Sequence, residues 1–329
     1  GGSALAGMVN IRGNRPTEML EGYVEAGVGN YGSWNVGGAI SGALSDAVTA
    51  RLAVQQNESE GYISNVFLGR DDTNGHDEIS VRGTLHVNPN ERSGYNLTAF
   101  YFDGRNGYDA FSLDNTRDTV SDQPGRDNQK SFALAGEAEW RFGEFSTLQT
   151  VATWLRSDLD YGFDEDWTFV GICDGTLCDP VLDFFSNTDN YHRERNESSL
   201  DVRLLGNFPV SGMQYVVGVY AQQKKEDLQR KYYGDFSSFY KVQRRAIYGQ
   251  VKVPVGRQFG LTAGIRYEQF DDNYRDTFGF QSASDDNLQN GELTLSYQSA
   301  GGSLLYATIS RGNKPGSVNT VANSNMLLM

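Results

Sequence analysis

Few residues in this chain have the type and spacing to do covalent or metal chemistry. Cys173-Asp-Gly-Thr-Leu-Cys178 holds both thiols of the sequence. That spacing suits a small loop staple and lacks the second pair that a structural zinc site needs; an oxidising compartment would make the pair a disulfide. The histidines His76, His86 and His192 are scattered, so the expectation is no metal and no cofactor. Asp71-Asp72 and Asp271-Asp272 offer carboxylates to a cation, but neither has the alternating oxygen-ligand spacing of an EF-hand loop, and solvated charge is the better reading. Glu137 and Glu139 are a possible acid–base pair. As neighbours on one face of one strand they more simply line a wet interior, and the chain is read as no enzyme. The Asn-x-Ser/Thr triplets at Asn57, Asn96 and Asn196 are chance matches if the source is bacterial.

The elements that would carry these residues are strands. Gly is abundant at 38 residues while Pro is scarce at 7, a balance that favours long strands over helices. Mean hydropathy is −0.51 and no run reaches the ~18 apolar residues of a membrane helix, which leaves a membrane β-barrel open because its strands alternate. A net charge of −14 and the absence of a Lys/Arg stripe argue against a nucleic-acid partner. Alternation is strict in many places. Ile79, Val81, Gly83, Leu85 and Val87 oppose Ser80, Arg82, Thr84 and His86; Leu52 opposes Arg51; Leu261, Ala263, Ile265 and Tyr267 oppose Thr262, Arg266 and Glu268. Charge keeps to one face, as lipid contact requires, since a Lys or Arg at mid-bilayer costs ~2–4 kcal/mol.

Connections alternate too. Compact turns at Leu44–Ala47, Asn88–Ser93, Phe142–Phe145, Val255–Gln258 and Ser299–Gly302 take turns with polar stretches at Gly61–Asp77, Gly104–Lys130, Asp160–His192, Glu226–Gln243 and Asp272–Asn290. These stretches far exceed the ~4–6 residues usual in compact domains. One trimmed end and one elaborate end describe an outer-membrane barrel, with Trp140, Phe142, Phe145, Phe208 and Phe259 near the short turns as an interfacial girdle. Alternation from Tyr23 to Arg311 gives about thirteen strands. That number is odd, whereas bacterial barrels close an even one, so a piece of a barrel is expected, with Tyr23–Tyr31 and Leu304–Arg311 as its open edges.

Several segments together resemble TonB-dependent outer-membrane receptors. Ala6-Gly-Met-Val-Asn-Ile11 followed by Arg15-Pro16, then Glu21 to Tyr31 and Gly42 to Leu52, resemble the junction of plug and barrel. Glu197–Leu205, Val216–Tyr220, Leu261–Tyr267 and Leu305–Gly316 look like successive barrel strands, with Asn313 standing where an aromatic is familiar. The resemblance implies an all-β fold: an antiparallel up-and-down transmembrane barrel with short periplasmic turns and long extracellular loops, about thirteen strands here of the ~22 in the large transporters. It places the end of the plug and its linker at 1–17, with Ala4–Ile11 as the last plug strand, and partial barrel at 18–329. It further implies that the signal peptide, the TonB-contacting segment, most of the plug and the later strands lie outside the sequence, and that Val318–Met329 begins another outer loop.

The function implied is active uptake of a scarce nutrient across the bacterial outer membrane, most readily a ferric siderophore, with TonB and outer-membrane lipid as partners. Cobalamin or oligosaccharide uptake by the same machinery, or a passive porin-type channel, are the alternatives; a plug strand speaks against the last. In such receptors plug apices and outer loops grip the ligand. The candidates here are Tyr161, Phe163, Trp167, Phe169 and Tyr191, with Arg193 and Arg195 at the foot of the loop. Aromatic faces with adjacent guanidinium groups stack on and neutralise an anionic chelate. Packing of the loop on its neighbours is the plainer role for the same side chains.

Overall fold

The computed structural model describes residues 13–172 and 186–316. The proposed plug strand Ala4–Ile11, the Cys173/Cys178 pair and the tail Val318–Met329 lie outside these residues. Alternating segments form the strands β1 (Glu21–Val28), β2 (Trp34–Ser45), β3 (Val48–Ser59), β4 (Ser64–Asn65), β5 (His76–Asn90), β6 (Ser93–Tyr108), β7 (Asp118–Thr119) and β8 (Gly125–Phe142). They continue as β9 (Ser146–Asp164), β10 (Thr188–Phe208), β11 (Met213–Lys231), β12 (Asp235–Val255), β13 (Phe259–Asp276), β14 (Gln281–Gln298) and β15 (Leu304–Arg311). Thirteen strands join in sequence order into one antiparallel sheet with β1 and β15 at its edges, and β4 and β7 make a separate parallel pair in the outer loops. The strand number, the meander topology and the odd count agree with the alternation.

Register fixes which face is which. Ser41, Arg51, Thr84, Thr98, Ala135, Thr153, Ser199, Gln222, Arg244, Phe270 and Asp286 pair strand to strand in one continuous row. The face of that row carries Ser41, Ser131, Ser157, Glu268 and Phe270, all buried, and is the inward side. The opposite face exposes Leu52, Leu134, Trp154, Val219, Ile247, Ile265 and Leu293, the pattern lipid requires. At the short turns this outward face carries ring pairs: Tyr95 with Trp140, Phe208 with Tyr215, and Phe259 with Tyr297, at centroid separations of 5.8, 5.8 and 5.0 Å. Phe132 and Trp154 meet at 5.9 Å at the other margin of the belt. From Trp140 to Phe132 is roughly 26 Å of strand at ~3.3 Å per residue, which when tilted suits the ~25 Å apolar band of such barrels.

Two of the expected long loops are not loops. Strands β11 and β12 are joined only through 232–234, and β13 and β14 only through 277–280, so Glu226–Gln243 and Asp272–Asn290 are mostly paired strand. The polarity of the faces changes above the belt, which hides these strands from a reading by hydropathy. On β12 the outward face is apolar at Val253, Val251 and Ile247 and becomes polar at Arg245, Gln243 and Lys241, while Val242 turns inward into a cluster with Phe270, Leu288 and Tyr240. Long outer connections do occur at 60–75, 109–124 and from 165 to 187.

Candidate functional site

The upper inward wall is built by β9 to β14 where they rise past the lipid belt. Tyr161 and Tyr191 are direct partners across β9 and β10, with ring centroids 5.9 Å apart, and Phe163 follows Tyr161 on the same face at 5.7 Å. The Arg193 guanidinium lies over the Tyr191 ring at 5.1 Å. These four of the sequence-derived candidates are brought together. Arg195 stands two residues further down and is bound to Glu226, its partner on β11, at 2.6 Å, so its charge is already answered.

Trp167 and Phe169 are placed differently. Trp167 stacks on Phe111 at 4.7 Å and Phe169 on Phe67 at 4.1 Å. Each joins the loop after β9 to another outer loop, the packing role noted above. Beneath them a buried polar net ties the same loops. Asn65 Nδ2 and the Thr119 hydroxyl both donate to Asp109 Oδ2 at 2.8 Å, Asn65 Nδ2 also donates to the Ser121 carbonyl at 2.8 Å, and the Ser121 hydroxyl donates to Asp164 at 2.5 Å. Further along the chain, Arg117 donates to the Tyr31 hydroxyl at 2.9 Å and covers the Tyr62 ring, reaching the hairpin of β1 and β2.

Register supplies what spacing did not show. Arg230 is the β11 partner of Tyr191; it donates twice to buried Asp189, at 2.8 and 2.7 Å, and sits between the rings of Tyr191 and Tyr232 at 5.0 and 4.8 Å. These groups lie above the belt. Burial first, and the Asp189 carboxylate next, push the Tyr191 phenol up to about 12, so it remains a neutral donor, to Asp189 Oδ2 at 2.8 Å. Lower on the wall, Arg266 donates through Nε and Nη2 to Glu268 Oε2 at 2.9 and 2.5 Å, Arg244 approaches the same carboxylate at 3.6 Å, and Arg266 covers the rings of Tyr220 and Tyr248. Tyr248 reaches across β11 to donate to Asp201 on β10 at 2.7 Å. Gly218 permits this, since a Cβ there would stand 2.6 Å from the phenol. The i,i+2 pairs Asp189-x-Tyr191 and Arg266-x-Glu268 are the only sequence signal for this ladder.

Among the described ion pairs Arg195, Arg230, Arg244 and Arg266 each have a carboxylate within 4 Å, and Arg203, low on the wall in the row of Arg266, donates to the Gln149 side chain at 2.6 Å, whereas Arg193 has neither. Arg193 is therefore the cation best placed to meet a ligand. Glu137 and Glu139 both accept from the Gln149 amide, at 2.8 and 2.6 Å, on the lower inward wall, where they serve the strand lattice. Asp72 is held by Arg70 at 2.8 Å, which keeps its carboxyl below the usual range. Asp272 accepts from the Tyr240 hydroxyl and the Ser284 backbone.

The same architecture occurs in solved receptors. The ferric yersiniabactin uptake receptor FyuA of Yersinia pestis superposes with a TM-score of 0.77 at 17% identity, covering 92% of this chain and 48% of that one. The ferric-catecholate import receptor Fiu of E. coli K12 gives 0.73 at 14%, over 94% and 52%. The alcaligin receptor FauA of Bordetella pertussis gives 0.70 at 12%, over 92% and 45%. The chain thus spans about half the length of these structures, and at such identities they establish the fold. The profile of the family described as TonB dependent receptor-like, beta-barrel matches residues 25–326, and on that match the chain belongs to the TonB-dependent receptors, as part of their outer-membrane β-barrel.

Proposed function

We propose that the whole receptor takes up a ferric siderophore, with energy delivered through TonB, and that the upper inward wall described here is one side of the ligand's berth. The observation that carries this reading is the group Tyr161, Phe163, Tyr191 and Arg193: three rings and one unanswered guanidinium on one face, above the belt, where a ligand arriving from outside is met first. Aromatic planes and Arg suit a flat, partly anionic chelate. The receptors it superposes on that are described by ferric yersiniabactin or ferric catecholate support the same cargo class. In this reading Trp167 and Phe169 hold the loops in place and Arg195 positions the wall through Glu226. Residues 1–17 are the end of the plug and its linker, and 18–329 the partial barrel. Catalysis has no part in it.

The likeness to a copper transporter, OprC, at a TM-score of 0.62, makes a metal cargo without siderophore the second reading. The test is accumulation of labelled ferric siderophores, and separately of copper, in cells carrying the intact receptor with and without a working TonB system. TonB-dependent iron uptake, reduced at least tenfold by Tyr191→Ala with Arg193→Ala, is expected. Uptake independent of TonB would favour a passive channel, and TonB-dependent uptake of copper, a corrinoid or a sugar without iron would replace the cargo.

A further inference from the structure

The outward face of β2, β3, β5 and β6 is furrowed. Two neighbouring pairing rows cross it, Gly42–Ala50–Leu85–Leu97 and, two residues nearer the outer loops, Ile40–Leu52–Gly83–Ala99. The small residues fall on β2 and β3 in the lower row and on β5 and β6 in the upper one. The hollow they leave is therefore diagonal, walled by Ile40 and Leu52 on one side and by Leu85 and Leu97 on the other, with a volume of about 440 Å³. A Cβ at Gly83 would meet nothing within 4 Å. At the foot Leu20 and Leu44 continue the lining, Leu20 lying 3.3 Å from where a Cβ of Gly42 would stand. The outward side chains of the lining are all hydrocarbon.

The tilt of the strands fixes the furrow's direction. The row of Phe132, at the upper margin of the belt on β8, has reached Lys241, above the belt, by β12, so rows climb outward from strand to strand. From Gly42 to Ala99 the furrow crosses three strand spacings of ~4.8 Å and rises two residues of ~3.3 Å, about 16 Å in all. Both steps lead the same way. With strands tilted by ~45°, the furrow then runs within roughly 30° of the bilayer normal, as a lipid chain does. It begins at Leu44 beside the turn between β2 and β3 and ends at Ala99, halfway on β6 between Tyr95 of the lower ring pair and Asp103, the first outward charge. That is the half of the bilayer on the side of the short turns, the periplasmic leaflet.

We propose that this furrow is a binding site for one acyl chain of a glycerophospholipid of the periplasmic leaflet, which stays with the receptor while the rest of the belt exchanges its lipid. The occupant follows from the surroundings, because the furrow is continuous with the lipid-facing belt, is apolar throughout and points along the chains of the bilayer. Within hydrocarbon no hydrophobic driving force distinguishes one surface from another, and van der Waals contact decides. A chain against the convex belt is touched from one side only. A chain in the furrow is touched from below by Ala50 and Ala99 and from both flanks by the leucines, and a furrow left empty would forfeit those contacts. The site depends on the membrane setting of the barrel and not on the cargo.

Filling the furrow tests this without adding a charge. The intact receptor, delipidated in mild detergent, is titrated with 1-palmitoyl-2-oleoyl-phosphatidylethanolamine and read by native mass spectrometry. One lipid per receptor should bind at a concentration at least tenfold below that needed for any further lipid. Gly83→Leu with Ala99→Leu, direct partners on β5 and β6, should weaken that first binding at least tenfold in a barrel that stays heat-resistant. Ala152→Leu, outward on β9 between Gly136 and Leu200, should leave it unchanged. Equal binding by the filled and unfilled receptors, no lipid bound ahead of the rest, preference for lipopolysaccharide offered in its place, or a receptor dimer that forms only with the furrow unfilled would each overturn the proposal.

Discussion

Ile265 and Phe270 stand five positions apart on β13 and have opposite surroundings. Ile265 is 70% exposed on the outward face, and Phe270 is 3% exposed on the inward face. Below the level of Arg245 and Gln269 the wall puts its apolar side chains outside and its charges inside. Above it, Lys241, Gln243, Asp271 and Asp285 face outward while Val242, Phe270 and Tyr274 are buried within, with Leu288 completing their cluster at the line itself. The backbone and its pairing do not change across this line. What changes is the solvent on the outer face, from hydrocarbon to water, and the same sheet is then free to gather an ordinary buried cluster on its concave side. The outer boundary of the bilayer is thereby written into the strands, and the wall above it is available for ligand and loops.

Substitutions can break this contrast, and the largest effect is expected in the upper cluster. Phe270→Ala removes a ring packed against Val242 and Leu288 and should cost ~3–5 kcal/mol, as for other buried Phe truncations. Thermal unfolding of the detergent-purified receptor reads this, with Leu261→Ala in the belt as the milder comparison. Next, Ile265→Arg puts a charge in lipid, at ~2–4 kcal/mol near the midplane, and should lower the heat-modifiable folded fraction in the outer membrane. Asp271→Arg, on the same face but above the line, should assemble normally. Equal damage by the two would place the boundary elsewhere.

Smaller effects sharpen the picture. Gly218→Val lifts Tyr248 off β11 and away from Asp201, with an expected cost of ~1–3 kcal/mol from overpacking, measurable as a lowered unfolding temperature in a barrel that still assembles. The smallest effect is pH-dependent. With its carboxyl raised to about 7 by burial, folded Asp164 holds a proton that the unfolded chain gives up near 4, so its contribution is complete at acid pH and is lost as pH rises through about 7. Hydrogen-exchange protection factors at 120–124 and 165–172, corrected for the base catalysis of exchange itself, should be higher at pH 5 than at pH 8. The reverse order would remove Asp164 from the loop net.

The alternation of Ile79 to Val87 or Leu261 to Tyr267 was legible because lipid imposes it residue by residue, and the short turns and strand number follow from it. The outer halves of β11 to β14 were not. With polar side chains outside and a mixture of Val242, Arg244 and Ser238 inside, neither face is uniform, and Glu226–Gln243 and Asp272–Asn290 read as loops. At the site the residue types were visible but their partners were not. Nothing within Tyr191-His-Arg193 says that Arg230 stands opposite, or that Arg195 meets Glu226, because register is set by turns many residues away. Trp167 and Phe169 were visible as aromatics, and only the fold shows that they stack on Phe111 and Phe67.

The change of solvent along one face is the claim on which the rest depends. Spin labels placed singly at Leu261, Ile265, Gln269 and Asn273, all outward on β13, in the intact receptor reconstituted into bilayers, report it through collision with oxygen and with a water-soluble nickel chelate. Oxygen should dominate at Leu261 and Ile265 and nickel at Gln269 and Asn273, with the crossover at Tyr267. Oxygen dominance at all four positions, or nickel dominance at all four, would contradict the account.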